Sequence, residues 1–381
     1  MAIRELTDAD YPGVQALHRG VGWPERSLAG WRWLHANPAR LEIGAPAGWV
    51  CTGPDGQLTA HTGNLIQRFR LGDRVLHGAT GFSIIVTPAA RGASRSLIKA
   101  FNDQSNVFAA WTFNANARSS PLYARHGMRA WPEETHDLKL SWPVDRPALA
   151  VGRLLRGLVN AAPGVAPHLG EWLMNDRLGR TPQLPLPAGV TQLTDFRDQS
   201  AYAAFWQALN AEGRLLGDRS PASLRWRLSD PDLTTPPLAL AFSREGRITG
   251  YAMAMMAKGN IIEAPVLEII DLEALADDGA AIPALMDALL VLARPMGAAK
   301  VRLQTTSRNG LSRLGSHTSA ARREGGWGHC HVRFAPDAPD PSLWSPTPWD
   351  ADYAICLRPI PLPTRARGRV PVRVRATASK A

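Results

Sequence analysis

Cysteine is scarce. Three residues, Cys51, Cys330 and Cys356, occur in 381, an odd number without metal-type spacing, so neither a disulfide framework nor a thiolate zinc site is expected and the thiols read as reduced. Long apolar runs are missing as well. No window reaches the roughly 18 consecutive apolar residues that a membrane span needs. Met1 to Asp10 carries Arg4, Glu5, Asp8 and Asp10 where a secretory signal has its apolar core. The expectation is a cytoplasmic protein with no membrane span. Lysine is rare too: five of the 43 basic residues are Lys and the others are Arg.

What is present is enough apolar material, 45% of the chain, for two ordinary cores. The net charge of +10 invites a nucleic-acid partner, but its distribution argues otherwise. Arg358 to Ala381 holds seven positive residues and no acid, which leaves the body close to balance. Rich in Pro and poor in apolar groups, 361–381 reads as a basic disordered tail beyond the last strand-like segment, Asp352 to Leu357. Nucleic acid is therefore not the expected partner.

The chain repeats itself. Leu6-Thr7-Asp8 returns as Leu193-Thr194-Asp195 at an offset of 187. Ser27, Ala29, Arg32, Trp33 and Pro38 return as Ser220, Ala222, Arg225, Trp226 and Pro231 at an offset of 193. Asp55-Gly56 returns as Glu245-Gly246 at an offset of 190. Matches in one order with drifting offsets are what a diverged tandem duplication leaves. Each half reads as mixed α/β, with a strand, a helix, a Trp-bearing helix stopped at Asn-Pro or Asp-Pro, and a hairpin. The first half continues with a strand over 79–86, a helix through Leu97, Ile98 and Phe101, a strand over 107–113 and a helix near 120–125. The second has strands near 266–272 and 300–305 around a helix over 282–293. The expected domains are 1–145, a linker over 146–188 with an amphipathic helix, and 189–360. In the linker helix Leu154, Leu155, Leu158 and Val159 oppose Arg153 and Arg156.

Chemistry is expected where strand passes directly into helix, at Arg91-Gly92-Ala93-Ser94-Arg95-Ser96, because such a junction aims free backbone N–H groups at one spot that attracts phosphate. The loop resembles the acyl-CoA pyrophosphate loop of the GNAT superfamily of N-acetyltransferases, with Arg91 at the first position and Ser94 and Ser96 where small glycine-type residues are usual. A second segment, Asn116-x-x-Ser119-x-x-Leu122-Tyr123-x-x-x-Gly127-Met128, is similar to that superfamily's later motif. The resemblance implies two GNAT-like α/β domains in tandem, each a mixed sheet flanked by helices. It implies acetyl-CoA as donor with no metal, Tyr123 as the acid that protonates the departing thiolate, and a cofactor surface of Ile85, Val86, Arg91, Gly92, Ala93, Ser94, Arg95, Ser96, Asn116 and Ser119. The implied reaction is direct acetyl transfer to an amine of a small molecule or sugar. The alternatives are a Fem-type aminoacyl or peptidyl transferase and a non-catalytic GNAT-like binding module. No carboxylate lies on the central strand, so His61, His77 and His126 stand as candidates for the base. The second half lacks both motifs and carries Asp277 and Asp278 at its helix start, where acids repel pyrophosphate. It reads as a degenerate copy, from which Asp271 could reach the acceptor cleft or simply end a strand. His329 and His331 share a strand face, but no further ligands stand at metal spacing.

Overall fold

The first half folds as β1 (Ile3–Glu5), α1 (Tyr11–Val21), α2 (Leu28–His35), α3 (Pro38–Glu42), β2 (Gly48–Thr52), β3 (Leu58–Leu71), β4 (Arg74–Val86), α4 (Ala93–Asn102), β5 (Ala109–Ala115), α5 (Ser120–Arg125), β6 (Arg129–Ala130) and β7 (Lys139–Pro143). Helices α6 (Arg146–Ala161) and α7 (Val165–Asn175) connect it to the second half. That half runs β8 (Val190–Gln192), α8 (Ala201–Asn210), β9 (Leu215–Gly217), α9 (Pro221–Leu228), β10 (Leu238–Arg244), β11 (Arg247–Ala257), β12 (Val266–Ala274), α10 (Ala281–Ala293), β13 (Lys300–Gln304), α11 (Arg308–Arg313), α12 (Ser316–Ala320), β14 (Arg322–Glu324) and β15 (His329–Phe334). This computed structural model describes residues 3–162, 164–175, 185–233, 236–304, 307–325 and 328–355. The basic tail and Cys356 lie outside the described residues.

Two mixed sheets form, and their strand orders correspond. One runs β1-β2-β3-β4-β5-β15-β6 and the other, read from the equivalent edge, β8-β10-β11-β12-β13-β7-β14. Each has one parallel pair at its centre, β4 with β5 and β12 with β13, as a strand–helix–strand crossover requires. The duplication read from the offsets is thus present in space. Trp33 and Trp226, equivalent by sequence, sit on equivalent helices α2 and α9 and stack at 4.6 Å between ring centroids. The Trp33 indole N–H donates to the Trp226 carbonyl at 3.1 Å. Beside them Arg26 pairs with Asp230 through both guanidinium nitrogens at 2.9 Å.

The division at 145 is one of sequence, and the sheets cross it. β7, from the end of the first half, pairs with β13, and β15, from the end of the second, pairs with β5. The halves therefore exchange their last strands. β9 adds a further crossing by pairing with the end of β3.

Helix α4 packs Leu97, Ile98 and Phe101 under the first sheet, while Lys99, Arg95 and Ser96 face solvent, the 3.6-residue stripe visible in the sequence. The opposite face carries an aromatic cluster of Phe69, Phe108, Trp111 and Trp344. In the second half α10 buries Ile282, Leu285, Met286, Leu289 and Leu292. The linker differs from expectation. It holds two helices, and Leu154 lies 73% exposed while Leu155 is buried, so the apolar face of α6 is centred one position along. No helix among the described residues is long and apolar enough to cross a membrane. Of the segment expected as a last strand, Asp352 to Leu357, the described part makes a tight 3-10 turn at Asp352–Ala354, just after another at Pro348–Asp350. Thr347 and Asp350 form a reciprocal capping box there.

Candidate active site

The parallel pair β4–β5 is short. Only Ala79 with Ala110 and Thr80 with Trp111 are in register. Beyond them β4 continues to Val86, against β3 alone, so its other edge faces a gap. Within that stretch the β3–β4 register shifts, His61 facing Ile85 and Gly63 facing Phe82, a bulge that puts Ser83 at φ 50°. A non-glycine residue in that region stores strain of order 1–3 kcal/mol, a cost typical of functional positions. His61 binds the Ser83 carbonyl through Nδ1 at 3.1 Å.

β4 leads through a 3-10 turn at Pro88–Ala90 into α4. Gly92 is the N-cap at φ 99° and no side chain caps the helix, so first-turn N–H groups are available to a ligand. Arg91 and Arg95 are exposed and make no ion pair among the described residues. Ile85 is buried and Val86 half-buried beside the gap, Ala93 is buried, Ser94 is half-buried, and Ser96 is exposed in the first turn.

Across the gap, Asn116 and Ser119 build the start of α5. Asn116 Oδ1 accepts the N–H groups of Arg118 and Ser119 at 2.9 and 3.0 Å, and Ser119 Oγ accepts that of Asn116 at 3.0 Å. The amide nitrogen of Asn116 is what remains to meet a ligand. Tyr123 projects inward from α5, 4% exposed. Burial, followed by the negative field of Asp352, pushes its phenol pKa up, against a hydrogen bond shared with Thr112 of β5. Its ring lies beside that of His331 at 5.9 Å, and His331 Nε2 meets the Ser120 hydroxyl at 2.8 Å.

Asp352 was not among the expected site residues. It arrives on the segment after β15, whose turn Asp352–Ala354 lies against both β4 and β5. Nearby anchors hold it: the Asp350 carbonyl accepts from Trp111 Nε1 at 2.7 Å, from Thr80 Oγ1 at 3.2 Å and from Gln67 Nε2 at 2.8 Å, and Tyr353 Oη donates to Asn114 Oδ1 at 2.9 Å. Nothing in the spacing of 352 from 123 signals this neighbour. It depends on the strand exchange.

The histidine candidates for the base are scattered. His61 is fully enclosed and its pKa is lowered to about 3, by burial first and then by the field of His18. His77 starts near the other end of β4, with Nε2 2.8 Å from Glu42. His126 closes α5 as its C-cap.

The second half shows the same scaffold with different contents. β12 parts from β13 after Ile269 and Leu303. The cavity there, of about 40 Å³, is lined by Leu272, Glu273, Leu303, Arg313 and the incoming residues 345–348. Leu311 takes the fourth position of α11, as Tyr123 does of α5. Asp271 is wholly buried and structural. Its two oxygens accept from Arg219 Nε and Nη2 at 2.7 and 3.0 Å, and Thr347 Oγ1 donates to it at 2.8 Å.

No family model and no curated protein matches this chain. Solved structures do. N-myristoyltransferase of Saccharomyces cerevisiae with bound myristoyl-CoA is 11% identical with a TM-score of 0.54, covering 89% of this chain and 82% of that one. A GCN5-related N-acetyltransferase of Anabaena variabilis is 12% identical with a TM-score of 0.51, covering 87% and 72%. An Enterococcus faecalis protein described as a probable N-acyltransferase is 12% identical with a TM-score of 0.50, again covering 87% and 72%. At these identities the likeness establishes the fold: two GNAT-like units in tandem.

Proposed function

We propose that the first half binds acyl-CoA and transfers its acyl group, acetyl in the simplest case, to an amine of a small molecule or sugar, while the second half serves as scaffold. The observation that carries this reading is the gap between β4 and β5. It starts at the uncapped, arginine-flanked N-terminus of α4 and ends beside the buried pair of Tyr123 and Asp352. The N–H groups of Gly92, Ala93 and Ser94, with the surrounding first turn to Ser96, suit a pyrophosphate, and the unpaired edge of β4 near Ile85 and Val86 suits the amides of a pantetheine arm laid down like an extra strand. In the reaction the amine nitrogen attacks the thioester carbonyl. The C–S bond then breaks, the amine loses a proton and the CoA thiolate gains one. Tyr123 enters the reaction protonated, donates a hydrogen bond to the sulfur as charge develops there, passes that proton to the departing thiolate and regains one from water. Asp352 is the carboxylate we assign to take the proton from the amine, a role the central strand offers no side chain to fill.

Thermal denaturation with acetyl-CoA, CoA and tRNA in turn tests the reading. A ligand that binds only the folded chain at about 100 times its Kd adds about 2.7 kcal/mol. A rise with acetyl-CoA and CoA supports it. A rise with tRNA alone would favour an aminoacyl donor, and no rise with any would favour a binding module.

A further inference from the structure

We infer that His136, Asp137 and His329 form a binding site for a zinc-type divalent cation that clamps the exchanged strand β15 to the first half. One ligand atom from each lies within 4.8 Å of the others. The three come from distant parts of the chain, His136 and Asp137 from the connection between β6 and β7, His329 from the first residue of β15.

The backbone holds these segments in place without any ion. The Cys330 N–H donates to the His136 carbonyl at 2.7 Å, and the Trp131 N–H donates to the Cys330 carbonyl at 3.2 Å, so the connection flanks β15 as a ladder on either side of the cluster. His136 is also aimed. Its Nδ1 lies 3.0 Å from the Glu133 carbonyl, a partner that can only accept, so Nδ1 carries the hydrogen and Nε2 presents its lone pair, the arrangement by which an outer carbonyl orients a metal-binding imidazole.

A second observation points to the same corner. His331, two residues along β15, is 5% exposed and its Nδ1 is buried without a partner. Two residues back on the same strand, the His329 ring lies 6.3 Å from that of His136. A buried imidazole nitrogen with no partner is uncommon, and here it belongs to a patch that already gathers two other imidazoles and a carboxylate.

The donor set selects the ion. Two imidazoles and one carboxylate suit zinc or its relatives, with water at a fourth position, whereas calcium and magnesium prefer oxygen ligands throughout. An ion there bonds the connection after β6 directly to the strand the second half lends to the first sheet.

Cobalt(II) titration of the full-length protein, free of any affinity tag and stripped with a chelator, tests the site. The expected result is the visible absorption of four-coordinate cobalt, displaced by zinc, with a Kd of about 10 µM or tighter. His136→Ala and His329→Ala should each weaken binding by about 100-fold. Asp137→Asn, at an exposed position that folding tolerates, should weaken it by about tenfold, and His168→Ala on α7 should leave it unchanged. Zinc should raise the melting temperature of the stripped parent and not that of His136→Ala. Absence of the cobalt absorption, or binding undiminished in both histidine variants, overturns the inference.

Discussion

Asp271→Ala separates structure from chemistry at the one carboxylate of the second half that the sequence offered to the acceptor cleft. In the folded chain Asp271 and Arg219 are 0% and 1% exposed at their side chains. Arg219 meets both Asp271 oxygens, donates to the Gly217 carbonyl and to Thr347 Oγ1 at 2.8 Å each, and has Asp350 at 3.6 Å. Removing Asp271 strands a buried guanidinium. Such losses cost about 3–5 kcal/mol, and because Asp350 supplies a second negative field the lower end, about 3 kcal/mol, is expected. Replacing both partners, Arg219→Met with Asp271→Leu, removes charge and counter-charge together and should cost less than the sum of the single changes. Urea unfolding followed by tryptophan fluorescence measures this, with an unchanged slope against denaturant as the check that only stability moved. The folded fraction of Asp271→Ala should transfer acyl groups within about twofold of the parent rate, since a twofold change is under 0.5 kcal/mol of barrier. A stability loss below about 1 kcal/mol would refute the buried-pair argument. A normal stability with a collapse of activity would return Asp271 to the chemistry.

His61 should make the fold acid-sensitive. Its folded pKa of about 3 lies below the ordinary 6.5, so the native state binds fewer protons than the unfolded one, and the stability this allows is full above pH 6.5 and lost as pH falls toward 3, by several kcal/mol at about 1.4 per pH unit. Urea midpoints at pH 7 and 4.5 should show that loss, and His61→Leu should shrink the difference between them. Gly92→Ala meets no atom within 4 Å, so it acts only through the positive φ. It should cost about 1 kcal/mol and weaken CoA binding in calorimetry, and an unchanged affinity would show that the α4 start does not hold phosphate. Deleting 362–381 should leave transfer intact, and a loss beyond about tenfold, roughly 1.4 kcal/mol in barrier, would give the tail a part in substrate binding.

Much of the architecture is legible because local signals agree with it. The stripe Leu97, Ile98, Phe101 marks α4, the Pro121 start marks α5, and Trp33 with Trp226 marks the duplication. The strand exchange is not legible. β7 and β15 are short strands whose pattern satisfies either sheet equally, and the choice between sheets is made by long-range pairing that no local propensity encodes. The segment Asp352 to Leu357 reads as strand-like because its Tyr and Ile favour strands. The chain enters it from the turn Pro348–Asp350, which Thr347 and Asp350 cap reciprocally, and turns again at Asp352–Ala354. Asp352 and the trio at His136 escape notice for the same reason: both sites draw on residues about 190 or more positions apart that meet only because the halves interlock.

The most direct test of the proposed chemistry is single-turnover acyl transfer by Tyr123→Phe, with CoA affinity measured on the same protein. The substitution removes one oxygen from a buried ring, so the fold and CoA binding should persist while the transfer step slows by about 10² or more. Transfer at the parent rate with CoA bound as tightly as before would contradict the role given to Tyr123.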